Sequence, residues 1–230
     1  MGTIYLVRHG QASFGAADYD RLSDRGVAQA RRLGQALKGA GVCPARVICG
    51  SLSRHRATAI HCLAGGGVIA DPDIRPEWNE FDHLALLRAA WPRYADMALL
   101  QQDLAGSASP HRRFQEIFET AMARWVDGAH DADYAETWPV FQQRCRQALD
   151  RLCKELPAHE DALVFTSGGP IAVIAQALLG LQTPVALSLN AVLVNTGVTQ
   201  LQVGRQGPRL TVFNAHEHLR QAGREWVTHR

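Results

Sequence analysis

Thr3-Ile4-Tyr5-Leu6-Val7-Arg8-His9-Gly10 is the first apolar stretch of the chain, and the way it ends decides how the rest is read. Ile4 to Val7 favour extended backbone and read as a short buried strand. Buried strands in α/β proteins end at a crevice, and residues just past the carboxyl end are placed to meet a ligand. There Arg8 offers a fixed cation, His9 a nucleophile or base, and Gly10 a backbone that others can approach closely. The combination suits phosphate chemistry.

The bulk composition narrows the field. A chain of 230 residues, 47% hydrophobic, suits one large domain or a domain with an insertion. A formal net charge of +2 argues against a general nucleic-acid binder, which carries a basic excess or stripe. Cys43, Cys49, Cys62, Cys145 and Cys153 are an odd set with no Cys-x-x-Cys pair, so free thiols in a reducing compartment are expected. No apolar run approaches the roughly eighteen residues of a membrane span. The first strand starts at Thr3, which leaves no room for a signal peptide, and a cytoplasmic protein is expected.

After Gly10 the stretch Gln11 to Leu22 is too irregular for a helix. Ser23 is an N-cap for a helix to about Lys38, with Val27, Ala30, Leu33, Ala36 and Leu37 at helical spacing. Arg46-Val47-Ile48-Cys49 reads as the next strand and Ser53 to about Ala64 as the next helix, the βαβ rhythm of a parallel sheet. The rhythm breaks after Gly65-Gly66-Gly67, with Val68-Ile69-Ala70 a candidate strand and residues from about 84 to 156 a helical insertion within a single domain. Asp161 to Thr166 returns to the sheet, and Ser167-Gly168-Gly169-Pro170 leads into a helix that stops at Gly180. Ala191 to Val203, broken at Asn195-Thr196-Gly197, and Leu210 to Phe213 read as closing strands.

Two further strand ends carry anion-binding chemistry. In Ser51-Leu52-Ser53-Arg54-His55-Arg56-Ala57-Thr58, Arg54 lies at the same sheet edge as Gly10. The bland alternative is three solvated basic side chains, yet cations at a helix N-terminus oppose the dipole, and a nearby anion removes the objection. At Ser167-Gly168-Gly169 the free backbone amides of a helix start can hold an anion, and Ser167 can alternatively be a simple N-cap. Glu80 sits beside Trp78 and Phe81, where partial burial would raise its pKa and let it protonate a leaving alkoxide. Glu77 and Asp82 are its close rivals.

Taken in order, Arg8-His9-Gly10, Arg54 with Thr58, Glu80, and the strand ending at Ser167-Gly168-Gly169 resemble the histidine phosphatase superfamily, also called phosphoglycerate-mutase-like. The likeness runs from Thr3 to about Leu219. It implies an α/β three-layer sandwich, a mostly parallel central sheet flanked by helices. It further implies that His9 takes the phosphoryl group, that Arg8 and Arg54 bind its oxygens, and that Glu80 donates the proton. Gly10, Gly15, Ser167 and Gly168 complete the substrate-binding set, with no metal and no cofactor. Two positions depart from the pattern. Ser167 stands where the family places a second histidine, and Gly15 where many members carry an asparagine. Loss of one transition-state donor costs about a hundred- to a thousandfold, so a slow phosphatase is expected and Ser167→His is expected to speed turnover.

Other readings are weaker. Cys49 to Arg54 falls one residue short of the Cys-x5-Arg loop of cysteine phosphatases. His216 and His218 could pair on a metal, but no further ligand cluster accompanies them; alternatively His216 enters the pocket in place of the missing histidine. A non-catalytic phosphoryl-binding protein would need neither His9 nor Glu80, and a phosphomutase would have to hold its intermediate against water. The expected partner is a small phosphomonoester or inorganic phosphate, with neither nucleic acid nor membrane. Arg88, Arg93, Arg112, Arg113 and Arg124 of the insertion either favour an acidic substrate or are solvated.

Overall fold

A computed structural model describes residues 2–13 and 20–229. The chain divides into two compact units, Met1–Glu80 with Arg144–Arg230, and Phe81–Gln143. The first unit holds a six-stranded sheet made of β1 (Gly2–Arg8), β2 (Arg46–Cys49), β3 (Asp73–Ile74), β4 (Ala162–Thr166), β5 (Val198–Gly204) and β6 (Gly207–Ala215). Their order is β3-β2-β4-β1-β5-β6. The first four strands in that order are parallel, and β5 and β6 continue the sheet antiparallel. Every residue of β4 is buried, as a strand between two neighbours and covered on both faces must be.

Side chains alternate across the strands. Val7, Cys49, Leu163, Phe165 and Val198 pack on one face with Leu33 of α1 (Asp24–Gly39) and Ala59 and Cys62 of α2 (Ser53–Gly65). Ile4, Leu6, Ile48 and Val164, at the alternate positions, are equally buried. Helices α7 (Gly168–Leu179) and α8 (Thr183–Val192) pack on each other, and α7 touches β1 and β6. α1 starts as its sequence dictates, with the Ser23 hydroxyl accepting from Gly26 N at 3.1 Å.

Two elements differ from the sequence reading. Val68-Ile69-Ala70 is not a strand: Ile69 is fully exposed, and the strand beside β2 is Asp73–Ile74. The apolar character of that segment has no face of the sheet to cover. The apolar run entering at Ala191 is the end of helix α8, which opens with Pro184 in its first turn, a position where proline is preorganised for a helix. Extended backbone begins only at Leu193, and β5 at Val198.

The second unit contains α3 (His83–Ala90), α4 (Met97–Ala105) and α5 (Pro110–Asp127), and its boundary falls inside α6 (Trp138–Glu155). Its core is aromatic. Trp125 meets Phe81 at 5.1 Å and Trp138 edge-on at 5.2 Å between ring centroids, and its indole N–H donates to Glu136 O. Arg93, Arg112, Arg113 and Arg124 each pair with a carboxylate of the same unit, at Asp103, Glu116, Glu116 and Asp133.

α1 and α2 approach closely enough that a side chain is missing by necessity. A Cβ on Gly34 would stand 1.8 Å from Cys62 O and 2.8 Å from Gly66 N, both backbone atoms. Gly34→Ala must therefore push the helices apart, and overpacking of this kind costs about 1–3 kcal/mol. Urea unfolding is expected to show a lower midpoint with an unchanged slope; an unaltered midpoint would mean the helices separate freely.

Candidate active site

The carboxyl ends of β1, β2 and β4 meet at one edge because all three strands run parallel, and the edge residues are bonded across β4. His9 N donates to Thr166 O at 2.9 Å and Gly50 N to Phe165 O at 3.1 Å. Thr58 then ties β1 to α2: Gly10 N donates to its hydroxyl at 3.0 Å, and the hydroxyl donates to Arg54 O at 2.6 Å. Asn195, fully buried, donates to His9 O and is itself held by Thr228. Its backbone neighbour Thr196 donates to Arg8 O at 3.0 Å.

His9 is 7% exposed. Its Nδ1 is 2.8 Å from Gly10 O, and since a carbonyl only accepts, Nδ1 carries the hydrogen. Burial, followed by the charges of Arg54 and Arg8, holds its pKa well below the usual histidine value. The ring is neutral at neutral pH, and Nε2 presents a lone pair. That is the form a nucleophile needs.

Arg54, at the start of α2, is buried and pairs with Asp20 Oδ1 at 2.6 Å, while Asp20 Oδ2 accepts from Ser53 N at 2.6 Å. An aspartate thus supplies the anion that cationic residues at a helix start call for. Arg8 donates through Nη1 to Leu193 O, next to α8, so of the two expected phosphoryl-binding arginines each has a protein acceptor. Gly15 lies outside the described residues.

Glu80 reaches α7: its Oε2 accepts from Gly169 N at 3.1 Å. Its rivals have other work. Glu77 pairs with Arg151 at 3.1 Å, and Asp82 caps α3 by accepting from Leu84 N and Ala85 N. The turn that carries Glu80 is clamped by Arg144 of α6, whose Nη1 donates to the carbonyls of Glu77 and Asn79 at 2.9 Å each. Nothing in the sequence around Arg144 marks it for this role.

Ser167 holds the N-cap position of α7 but makes no capping hydrogen bond. Its hydroxyl instead lies 2.6 Å from Nε2 of His55. His55 is completely buried, its ring tilted against that of His9 with centroids 5.8 Å apart. For His55 the bland alternative of a solvated basic side chain does not hold. A histidine at position 167 would meet the imidazole of His55, which already lies within hydrogen-bond distance of the residue there, a contact that bears on the gain expected from Ser167→His.

Cys49 faces the core, and burial pushes its thiol up to about 11, which removes it as a nucleophile near neutral pH. His218 bonds Thr196 Oγ1 at 2.9 Å, and His216 lies 2.7 Å from Asn214 O beside a cavity of about 470 Å³ lined with Arg220, Arg224 and Val227. His55 is an imidazole beside His9. Among the described residues no group of three or more His, Cys, Asp or Glu side chains is arranged to hold a metal ion, and no helix is long and apolar enough to cross a membrane.

A family model of the histidine phosphatase superfamily, branch 1, matches residues 4–98 and 102–216. The chain belongs to the histidine phosphatase superfamily. It is 30% identical over 188 residues to a protein of Erwinia tasmaniensis named probable phosphoglycerate mutase GpmB, covering 77% of this chain and 75% of the relative. Among solved structures it resembles a phosphoglycerate mutase from Bacillus anthracis, with a TM-score of 0.65, 20% identity and 94% of each chain covered. It also resembles a mutant phosphoserine phosphatase from Entamoeba histolytica in complex with phosphoserine, with a TM-score of 0.64, 18% identity, and 95% and 100% of the two chains covered. These structural likenesses describe the fold: α/β, with a mostly parallel six-stranded sheet flanked by helices.

Two buried imidazoles and one half-buried imidazole are expected to make the fold acid-sensitive. His9 and His55 are held well below the usual value, chiefly by burial, and His218 is pushed down to about 4. Each is neutral when folded but binds a proton in the unfolded chain below about pH 6.5. Stability is therefore fully present above that pH and falls as pH drops, by up to about 1.4 kcal/mol per pH unit per histidine. Urea titrations at a series of pH values are expected to show the decline starting near 6.5, with the His218 share ending near 4. A profile level through that range would show that these rings protonate inside the folded protein.

Proposed function

We propose that this protein hydrolyses small phosphate monoesters through a phosphohistidine on His9, with Glu80 as the proton donor. The observation that carries the proposal is the neutral, buried His9 with its hydrogen on Nδ1 and its lone pair on Nε2, at an edge shared with Arg54 and Glu80. Nε2 attacks phosphorus, the bond to the ester oxygen breaks, and the leaving alkoxide takes a proton from Glu80. A water molecule then attacks the phosphohistidine and gives its proton to Glu80. Inorganic phosphate leaves, and Nε2 regains its lone pair.

Arg8, Arg54 and the amide at Gly168 serve the phosphoryl oxygens, because positioning and charge balance supply most of the catalysis in phosphoryl transfer; the Gly10 amide, expected in that set, is instead committed to the Thr58 hydroxyl. Such chemistry needs no metal. The presence of both a nucleophile and a proton donor speaks against a protein that only binds phosphate. A phosphomutase is the second reading, favoured by the name of the Erwinia tasmaniensis relative. Phosphorus NMR of the products separates the two, since a mutase returns an isomeric ester where a hydrolase returns inorganic phosphate.

His9→Ala is expected to abolish turnover of an aryl phosphate, and equal activity would remove the phosphohistidine route. Glu80→Gln has a graded signature. General acid catalysis contributes about 10²- to 10⁴-fold, and mostly where the leaving alkoxide is a poor one. The variant is therefore expected to lose far more activity on an alkyl phosphate than on a nitrophenyl phosphate. Equal losses on both would deny Glu80 the proton transfer.

A further inference from the structure

Ser167 and His55 form a pair whose hydrogen-bond direction can be worked out. A neutral imidazole has one N–H and one lone pair. The Nδ1 of His55 is buried and has no hydrogen-bond partner. If the hydrogen were on Nδ1, a buried N–H would be left without an acceptor, which folded proteins avoid more strictly than an unused acceptor. The hydrogen therefore belongs on Nε2, which donates to the Ser167 oxygen across 2.6 Å. With that oxygen accepting from the imidazole, and with no helix cap to make, the serine hydroxyl has its own hydrogen to give elsewhere.

The ring is also placed by exclusion. Gly50, at the end of β2, has no side chain, and a Cβ there would sit 2.3 Å from Nδ1 of His55. His55 thus rests against bare backbone on one side, approaches His9 on another, and reaches Ser167 through Nε2 of its ring.

We infer that His55 is a positioning residue of the phosphoryl site, its Nε2–H holding the Ser167 hydroxyl so that the hydroxyl donates to an oxygen of the phosphoryl group carried by His9. The inference rests on the proposed phosphohistidine chemistry. It assigns to two residues, one from α2 and one from the turn before α7, the donor role that the family pattern gives to one histidine at position 167. It also explains why Ser167 need not make a deficient site, since the imidazole is present and comes from a different strand end.

The test is a kinetic cycle on an aryl phosphate, with circular dichroism and thermal melting to confirm folding. Both His55→Ala and Ser167→Ala are expected to lower kcat/KM by about a hundredfold, the scale of one lost donor. The variant with both changes should be no worse than either, because residues acting as a unit do not lose activity additively. His55→Gln, whose amide N–H can stand near Nε2, should recover to within about tenfold of wild type, as a conserved donor predicts. Ser167→His alone should lose activity, and the paired change Ser167→His with His55→Ala should restore it. Unchanged kcat/KM in a folded His55→Ala protein, or losses that multiply in the double variant, would overturn the inference. If His55→Ala does not fold, the comparison of His55→Gln with Ser167→Ala decides between a shared donor and a structural role. An inactive wild type, or His9→Ala as active as wild type, counts against the phosphohistidine reading instead. The affinity for inorganic phosphate in the same variants then reads the pair directly, with non-additive loss in support and unchanged affinity against.

Discussion

Two backbone hydrogen bonds across the central strand, His9 N to Thr166 O and Gly50 N to Phe165 O, set the geometry on which the site depends. They extend the ladder one residue beyond β1 and β2, so three chain segments leave the sheet at a common level. A one-residue slip in either pairing would turn every side chain of that strand to the opposite face. The register is protected by burial: Val7, Cys49 and Phe165 share one core, and Leu6, Ile48 and Val164 are buried at the alternate positions. Core packing therefore fixes the level at which His9 and Gly50 leave the sheet.

Burial has a second consequence at this edge. A histidine taken out of water keeps its neutral form, and a guanidinium close by makes protonation harder still. Arg54 acts on both His9 and His55 in this sense. The same cation that favours a lone pair on His9 is suited to balance the charge of a phosphoryl group. Asp20 meanwhile pairs with Nη1 of Arg54 and accepts from the first amide of α2. The neutral ring of His9 and its electrostatic surroundings thus follow from one feature, a buried sheet edge with Arg54 and Arg8 beside it.

Much of this was legible in the chain. The strand-helix rhythm, the Ser23 cap and the run from Ala162 to Thr166 carry local signals strong enough to place their elements, and Arg8-His9-Gly10 with Arg54, Glu80 and Ser167 marks the edge. What escaped depends on contacts between distant residues. α8 and the exposed Val68 to Ala70 segment were misread because a short apolar run has the same appearance in a helix, a strand or a loop. Asn195, Gln29 and Arg144 hold site backbone through long-range hydrogen bonds that no spacing reveals. His55 was hidden by its neighbours, since a histidine between two arginines at a helix start looks solvated until the sheet turns it inward.

Ser167 shows why one motif position cannot be weighed alone. The volume around it is shared by residues 50, 55, 79 and 167. Gly50 accommodates both His55, through Nδ1, and Asn79, whose Oδ1 would stand 2.6 Å from an added Cβ. Asn79 in turn accepts from Ser51 N at 2.7 Å and donates to Ser51 Oγ at 2.8 Å, which anchors the residue next to Glu80. The imidazole that holds Ser167 and the turn that carries the carboxylate therefore lean on the same glycine. Any side chain at Gly50 would disturb both at once, so the phosphoryl positioning and the proton donation proposed for this site are coupled through a residue that takes part in neither.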